Sequence, residues 1–382
     1  MQRGPLHLTY CTNVHPGETL AELLDVLRGP VADVKARFAP SVPFGLGLRL
    51  GNTATSALLR SPAALLDLAE ACLEEGLYVF TVNGFPYGDF AAESVKAAVY
   101  DPGWLDPERV AYTLRLARVL SRLPGPARRT ISTVAGGFRP ATDGAQAHRQ
   151  IAAHLRQAVD GLRALADETG VSIRLCLEPE PWTTLETTAD AIAFFQDHLD
   201  GPGDRAHLGL CYDCCHQAVH FEDAAESVQA LVAAEVPIGK VQVSSALHLA
   251  APADPAARAA LAAFAEPRYL HQVVARTPDG RLLRAVDLPE VPWDYPEWRG
   301  AEAWRCHFHV PTWWGGDGPL GTTRADWQQA VRAVLATGAC THLEVETYTW
   351  HVLPAAEQAA LEGGDLVACV DAELRALLAV IE

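Results

Sequence analysis

Short apolar runs alternate along this chain with longer stretches in which apolar residues return at every third or fourth position. The runs Leu6–Thr12, Pro43–Leu50, Tyr78–Asn83, Thr130–Ala135, Ser172–Glu178, His207–Asp213, Ile238–Ser244 and His342–Thr347 predict strands. Between them, Thr19–Phe38, Pro62–Glu75, Pro107–Arg122, Gly144–Thr169, Thr187–Leu199, Glu222–Ala233 and Arg324–Ala336 predict helices. Ser61-Pro62 and Asp106-Pro107 read as a cap followed by a first-turn proline. Strand and helix in regular alternation, with eight strands, predict a (β/α)8 TIM barrel. An open doubly wound sheet is the competing architecture, but no Gly-rich phosphate turn follows an early strand.

One interval breaks the rhythm. From about Leu249 to Arg305 the chain is rich in Pro and Trp, and Tyr269–Ala275 and Arg281–Val286 flank a Pro278-Asp279-Gly280 turn. A short strand-like piece, Cys306–Val310, follows. The chain is therefore expected to form a single barrel domain over 1–382, with 249–305 inserted between strands seven and eight on the active-site side.

Composition refines the picture. The chain has 382 residues, 49% hydrophobic and 20% charged, enough for a large core. A formal charge of −17 disfavours nucleic acid as a partner. All cations among Lys and Arg except Lys35, Lys96 and Lys240 are arginines, scattered without a basic patch. The N-terminal residues lack a signal-peptide pattern, and no apolar run approaches the roughly 20 residues of a membrane span. The nine cysteines are accordingly expected to be reduced thiols in the cytoplasm. Cys211, Cys214 and Cys215 lie close together, without the second Cys pair of a common thiolate zinc site.

In a barrel strand the last inward-facing residue reaches the C-terminal mouth. Strand five ends Leu177-Glu178-Pro179-Glu180-Pro181, and strand six ends Tyr212-Asp213-Cys214-Cys215-His216. Strand seven carries Gln242, and strand eight carries Glu344 and Glu346 on one face. His307 and His309 share a face at period two. Taken singly, these residues have ordinary readings: a solvated loop Glu, a turn hydrogen bond for Asp213-x-x-His216, or an ion pair for Glu344. Taken together, five separated segments aim donors at one funnel. Carboxylates so arranged take up protons or are neutralised by a cation. Mixed oxygen and imidazole donors suit Mn2+, Zn2+, Mg2+ or Co2+. Asn83, at the end of strand three, is a candidate for a substrate hydroxyl, or simply turns the chain with Gly84. Arg49 is a candidate for an anionic substrate group or a buried structural cation, and Trp313 for a pocket wall or a barrel cap.

The ordered set Glu178, Asp213-x-x-His216, Gln242, His307-x-His309 with Gly318 and Gly321, and Glu344 resembles the xylose isomerase-like TIM-barrel superfamily. The strings Val82-Asn83-Gly84-Phe85-Pro86-Tyr87-Gly88, Gln242-Val243-Ser244-Ser245-Ala246-Leu247 and Leu343-Glu344-Val345-Glu346-Thr347-Tyr348-Thr349-Trp350 resemble, more narrowly, the EboE family, named for metabolite traffic. The resemblance implies metal ligation by Glu178, Asp213, Gln242 and Glu344, with His216 beside them. Ketose epimerases carry His where Gln242 stands, while Gln occurs in the hydroxypyruvate isomerase branch. His307-x-His309 stands where endonuclease IV-like sites carry Asp-x-His. The expected function is a metal-dependent isomerase or epimerase of a small polyhydroxylated or carbonyl metabolite, with Glu178 and Glu344 as acid and base. A multi-metal hydrolase and a metabolite carrier without chemistry are the alternatives.

Overall fold

The computed structural model describes residues 1–360 and 365–382. Its strands are β1 Leu6–Tyr10, β2 Phe44–Arg49, β3 Leu77–Asn83, β4 Arg128–Val134, β5 Ser172–Glu178, β6 Leu208–Asp213, β7 Ile238–Val243, β8 Ser245–Leu249, β9 Val273–Arg276, β10 Leu282–Ala285, β11 Ala303–Val310, β12 Leu320–Thr322 and β13 His342–Val345. Strands β1 to β7 and β13 run parallel and form the barrel, with β13 between β7 and β1. Their nearly continuous burial explains the apolar runs, because a parallel sheet covered by helices exposes neither face.

The seam between β1 and β2 is closed partly by side chains. Cys11 bridges to Gly47, and the hydroxyls of Thr9 and Thr12 accept from the Gly47 and Arg49 amides at 3.0 and 2.9 Å. Threonine here supplies the acceptors that a regular ladder would take from the backbone. Gly47 has a second role. A Cβ on it would collide with the Glu344 carboxylate and the Tyr10 carbonyl, so a residue without one lets Glu344 lie flat on the barrel wall.

The expected helix Thr19–Phe38 is broken. It forms as Leu20–Val26 and Ala32–Phe38, joined by a wide turn through Gly29-Pro30. Proline has no N–H to donate, and its ring clashes with the carbonyl one turn back, so the axis bends there. A helix not expected from the pattern, Asn52–Arg60, precedes Pro62–Glu74.

Between β7 and β13 the chain builds a second sheet, antiparallel, in the order β10, β9, β11, β8, β12 and the short piece Gly316–Asp317. The expected hairpin is β9 and β10, with Ala275 opposite Leu283. Cys306–Val310 is the end of the longer β11, which pairs with both β8 and β9. Because β8 follows β7 after the single residue Ser244, this sheet stands on the C-terminal mouth of the barrel. The β8–β11 ladder shifts register between Cys306 and Val310. Irregularities of this kind re-aim side chains, and His307 and His309 lie within it.

Candidate metal centre

Seven donor residues meet at the mouth. Glu178 ends β5 and Asp213 ends β6. Asp213 also caps the helix Cys214–Val219, its Oδ1 accepting from the His216 amide at 2.9 Å. That single turn brings His216 beside Asp213. His307 and His309 come from β11, Glu180 from the chain after β5, and Glu346 from just past β13. All are buried.

The hydrogen bonds of the three imidazoles fix their tautomers. His216 Nδ1 lies 3.1 Å from the Pro179 carbonyl, and His309 Nδ1 lies 2.9 Å from the Glu346 carbonyl. A carbonyl oxygen only accepts, so both Nδ1 atoms carry hydrogen. His307 Nδ1 meets Gln272 Oε1 at 2.5 Å. The Gln272 amide is oriented in turn, because its Nε2 donates to the Pro181 carbonyl at 3.1 Å and to the Tyr100 hydroxyl at 2.8 Å. His307 Nδ1 is therefore also a donor. Burial holds all three rings neutral, His216 down to about 4, His307 well below the usual imidazole range and His309 below it. Three neutral rings protonated on Nδ1 present three bare Nε2 lone pairs. Those nitrogens lie 3.0, 3.1 and 3.2 Å from one another. Three acceptors facing each other repel unless a cation sits among them. Their spacing is near the edge of about 3.3 Å of a tetrahedral set at Zn–N distances of about 2.0 Å.

A second triangle adjoins the first. Glu178, Asp213 and Glu346 each offer an oxygen, all within 4.8 Å of one another. Each also has one buried oxygen without a hydrogen-bond partner. Burial, then the charges of Glu346 and Asp213, push the Glu178 carboxyl well up; burial, then Asp213 and Glu344, do the same to Glu346. Asp213 with His216 and His309 forms a further group of the same size, so the aspartate links the two triangles. The donor set fits one or two divalent cations, which would reverse both the imidazole repulsion and the carboxylate repulsion.

The donors are held from behind. Glu346 Oε1 accepts from Asn13 and Asn83, both at 2.7 Å. Ser244 meets His309 Nδ1 at 2.9 Å. The Tyr100 hydroxyl donates to Glu180 Oε1 at 2.8 Å, and burial raises the Glu180 carboxyl to about 8. This support orients donors as outer partners do around metals.

Several expected residues lie elsewhere. Glu344 is one inward position deeper than Glu346 and forms a fully buried ion pair with Lys240. It does not line the cavity; Glu346 takes the place expected for it. Gln242 is buried beside Asp213 and Glu344 in register, but its Oε1 accepts from the Cys211 thiol at 2.7 Å. Arg49 is a structural cation, binding Glu18 and the Gly17 and Gly88 carbonyls and so tying two mouth loops together. Trp313 packs on the core away from the cavity lining. Glu178, Asp213, His216, His307, His309 and Asn83 are brought together as expected. Glu346 enters the sequence reading only as the neighbour of Glu344 on one face, while Glu180, Asn13, Tyr100 and Gln272 are assigned no role there. The repeated Glu-Pro of Glu178-Pro179-Glu180-Pro181 was the available signal for Glu180.

Fold and site together define a TIM barrel with a donor set suited to divalent metal. The model of the xylose isomerase-like TIM barrel family matches residues 53–364, and the chain belongs to that family. Among solved structures, a xylose isomerase-like TIM barrel protein from Mycobacterium smegmatis in complex with magnesium is similar at 14% identity. The match covers 99% of this chain and 98% of that one, with a TM-score of 0.53. The IOLI protein with a bound zinc atom is similar at 12% identity and a TM-score of 0.51, with 98% of each chain covered. No curated protein matches.

Proposed function

We propose that the protein is a metal-dependent isomerase or epimerase acting on a small metabolite with adjacent hydroxyl and carbonyl oxygens. The observation that carries this reading is the triangle of three unprotonated Nε2 atoms beside three carboxylates with unpartnered oxygens, of which Glu178 and Glu346 line the same cavity as the imidazoles and Asp213 is buried behind them. The two similar structures, one in complex with magnesium and the other with a bound zinc atom, support a divalent ion here; Mn2+ and Co2+ suit the same donors. The ion supplies Lewis-acid stabilisation of negative charge developing on a substrate oxygen.

The chain's own residues do the rest. Glu178 on β5 and Glu346 beyond β13 come from strands separated around the ring by β6 and β7 and converge to within 4.8 Å, so both reach the same end of a bound substrate. Burial and the neighbouring carboxylates push both carboxyls well up, which favours one of the pair holding a proton while the other takes one. Asn13 and Asn83 fix Glu346. His216 orients beside Asp213. Exchange of a carbon-bound substrate hydrogen with deuterated water tests the reaction. Wild type is expected to wash in deuterium, and folded Glu178→Gln and Glu346→Gln to lose it; exchange unchanged in either variant contradicts the assignment.

A second reading, a two-metal hydrolase, is favoured by the two donor triangles that share Asp213. Metal stoichiometry separates the two: about one equivalent per chain supports the isomerase, about two the hydrolase. The strings shared with the EboE family support a place in secondary-metabolite processing or traffic. Cys11, Cys72, Cys176, Cys211, Cys214, Cys215, Cys306 and Cys340 are buried free thiols, which supports a reducing compartment such as the cytoplasm.

A further inference from the structure

The floor of the cavity is polar, but its upper walls are not. Counted out to the open solvent at its mouth, the space over the donors is about 490 Å3. Above the donors stand Phe85, Phe90, Val99, Tyr269, Leu270 and Tyr348. Phe90, Tyr269 and Tyr348 form a mutual cluster, each ring centroid 5.0 Å from the other two. They come from three distant places: the loop after β3, the excursion between β8 and β9, and the segment after β13. The wall is therefore assembled by the fold, at the point where three loops converge over the site.

The polar atoms of Tyr269 and Asn83 on this wall are spent on the protein. Tyr269 donates its hydroxyl to the Phe90 carbonyl at 3.1 Å, which leaves the ring to line the cavity. Asn83 gives its Nδ2 to Glu346 and takes the Phe85 amide on Oδ1 at 3.1 Å. Among the described residues, Lys96 is the only Lys or Arg in the lining. Its ammonium binds Asp287 at 2.6 Å and the carbonyls of Tyr269 and Glu266 at 2.6 and 3.0 Å. All three of its hydrogens are used. A phosphate or carboxylate entering the cavity meets no free cationic side chain, and it meets Glu178, Glu180 and Glu346. A polyol reaching up from the floor meets the Tyr348 hydroxyl but otherwise leaves its far hydroxyls against the aromatic carbon of Phe85, Phe90 and Tyr269, which burial without hydrogen bonds penalises.

We propose that the substrate is an uncharged compound with two adjacent oxygens at one end and an apolar, ring-bearing body at the other, in place of a free or phosphorylated sugar. The inference rests on the metal-dependent reading of the same floor, which supplies the partner for the oxygens. The rings of Phe90, Tyr269 and Tyr348 supply the partner for the body.

Calorimetric titration of the full-length protein, loaded with zinc, compares three probes: 2-hydroxyacetophenone, fructose and fructose 6-phosphate. The aryl hydroxyketone is expected to bind at least about ten-fold tighter than either sugar, the scale set by burying part of one aromatic ring. Tyr269→Ala and Phe90→Ala, each checked for native thermal melting, are expected to weaken it about ten-fold and leave fructose unchanged. A sugar or sugar phosphate that binds as tightly as the aryl probe overturns the proposal. So does aryl binding that is absent, or that both folded variants leave intact. Binding needs no turnover, so the two readings fail separately. Tight aryl binding without deuterium exchange keeps this substrate class and removes the isomerase. Exchange into fructose with no preference for the aryl probe keeps the isomerase and removes this class.

Discussion

Asn83 and Glu346, one at the end of β3 and the other beyond β13, are joined across the barrel mouth by a 2.7 Å hydrogen bond from Nδ2 to Oε1. Asn13 donates to the same oxygen, so two amides hold one half of the carboxylate and leave the other half, Oε2, without a partner. Glu346 thus approaches the site in one orientation. Asn83→Ala removes one of the two clamps. Turnover is expected to fall about 10- to 100-fold, the usual loss when an outer partner of a metal ligand is removed. Metal content should be largely retained. Kinetic assay and elemental analysis of the same preparation check both halves of this statement.

Lys240 and Glu344 make the other buried charge contact of the barrel interior, below the site. Removing one partner strands the other. Lys240→Met is expected to lower the unfolding free energy by about 3–5 kcal/mol. Replacing both, as Lys240→Met with Glu344→Leu, is expected to recover most of that loss, because the desolvation of both charges disappears together. Denaturant unfolding of the two variants decides it.

Glu373, on the helix Leu366–Ile381, accepts from the Thr312 amide at 3.2 Å and the Thr347 hydroxyl at 2.6 Å. Burial raises its carboxyl from 4.5 to about 8. The folded protein keeps a proton that the unfolded chain releases, so this group's contribution is fully present below about pH 4.5. It is lost as pH rises through about 8, by an amount on the order of 5 kcal/mol. Glu373→Gln keeps an acceptor and cannot ionise. Its stability is expected to decline less than that of wild type between those pH values, as measured by urea unfolding across the series.

Much of this architecture was legible in the chain. Parallel strands covered on both faces read as continuous apolar runs, and all eight barrel strands were found that way. The donors at strand ends were found because the last inward residue of each strand is polar. Depth was not legible. Glu344 and Glu346 share a face by the period of two, and only the pairing of Glu344 with Gln242, a contact between distant segments, shows which one lies below the mouth. Lys240, inward on the neighbouring strand, is the residue that claims the deeper carboxylate. The network of Tyr100, Gln272 and Glu180 has no local signature, since its members come from three loops. Gln242 and Arg49 have partners that appear only in the folded chain. The bend at Gly29-Pro30 was written in the sequence and was overridden by an apolar periodicity that continues through it.

The most direct test is the divalent-metal content of protein purified without chelator, in wild type, Asp213→Ala and His309→Ala. The account predicts bound metal in wild type, and at least about a ten-fold loss of affinity in each folded variant on reconstitution with Zn2+, Mn2+, Mg2+ or Co2+. Wild-type protein that binds none of these ions, or variants that load as well as wild type, would contradict it.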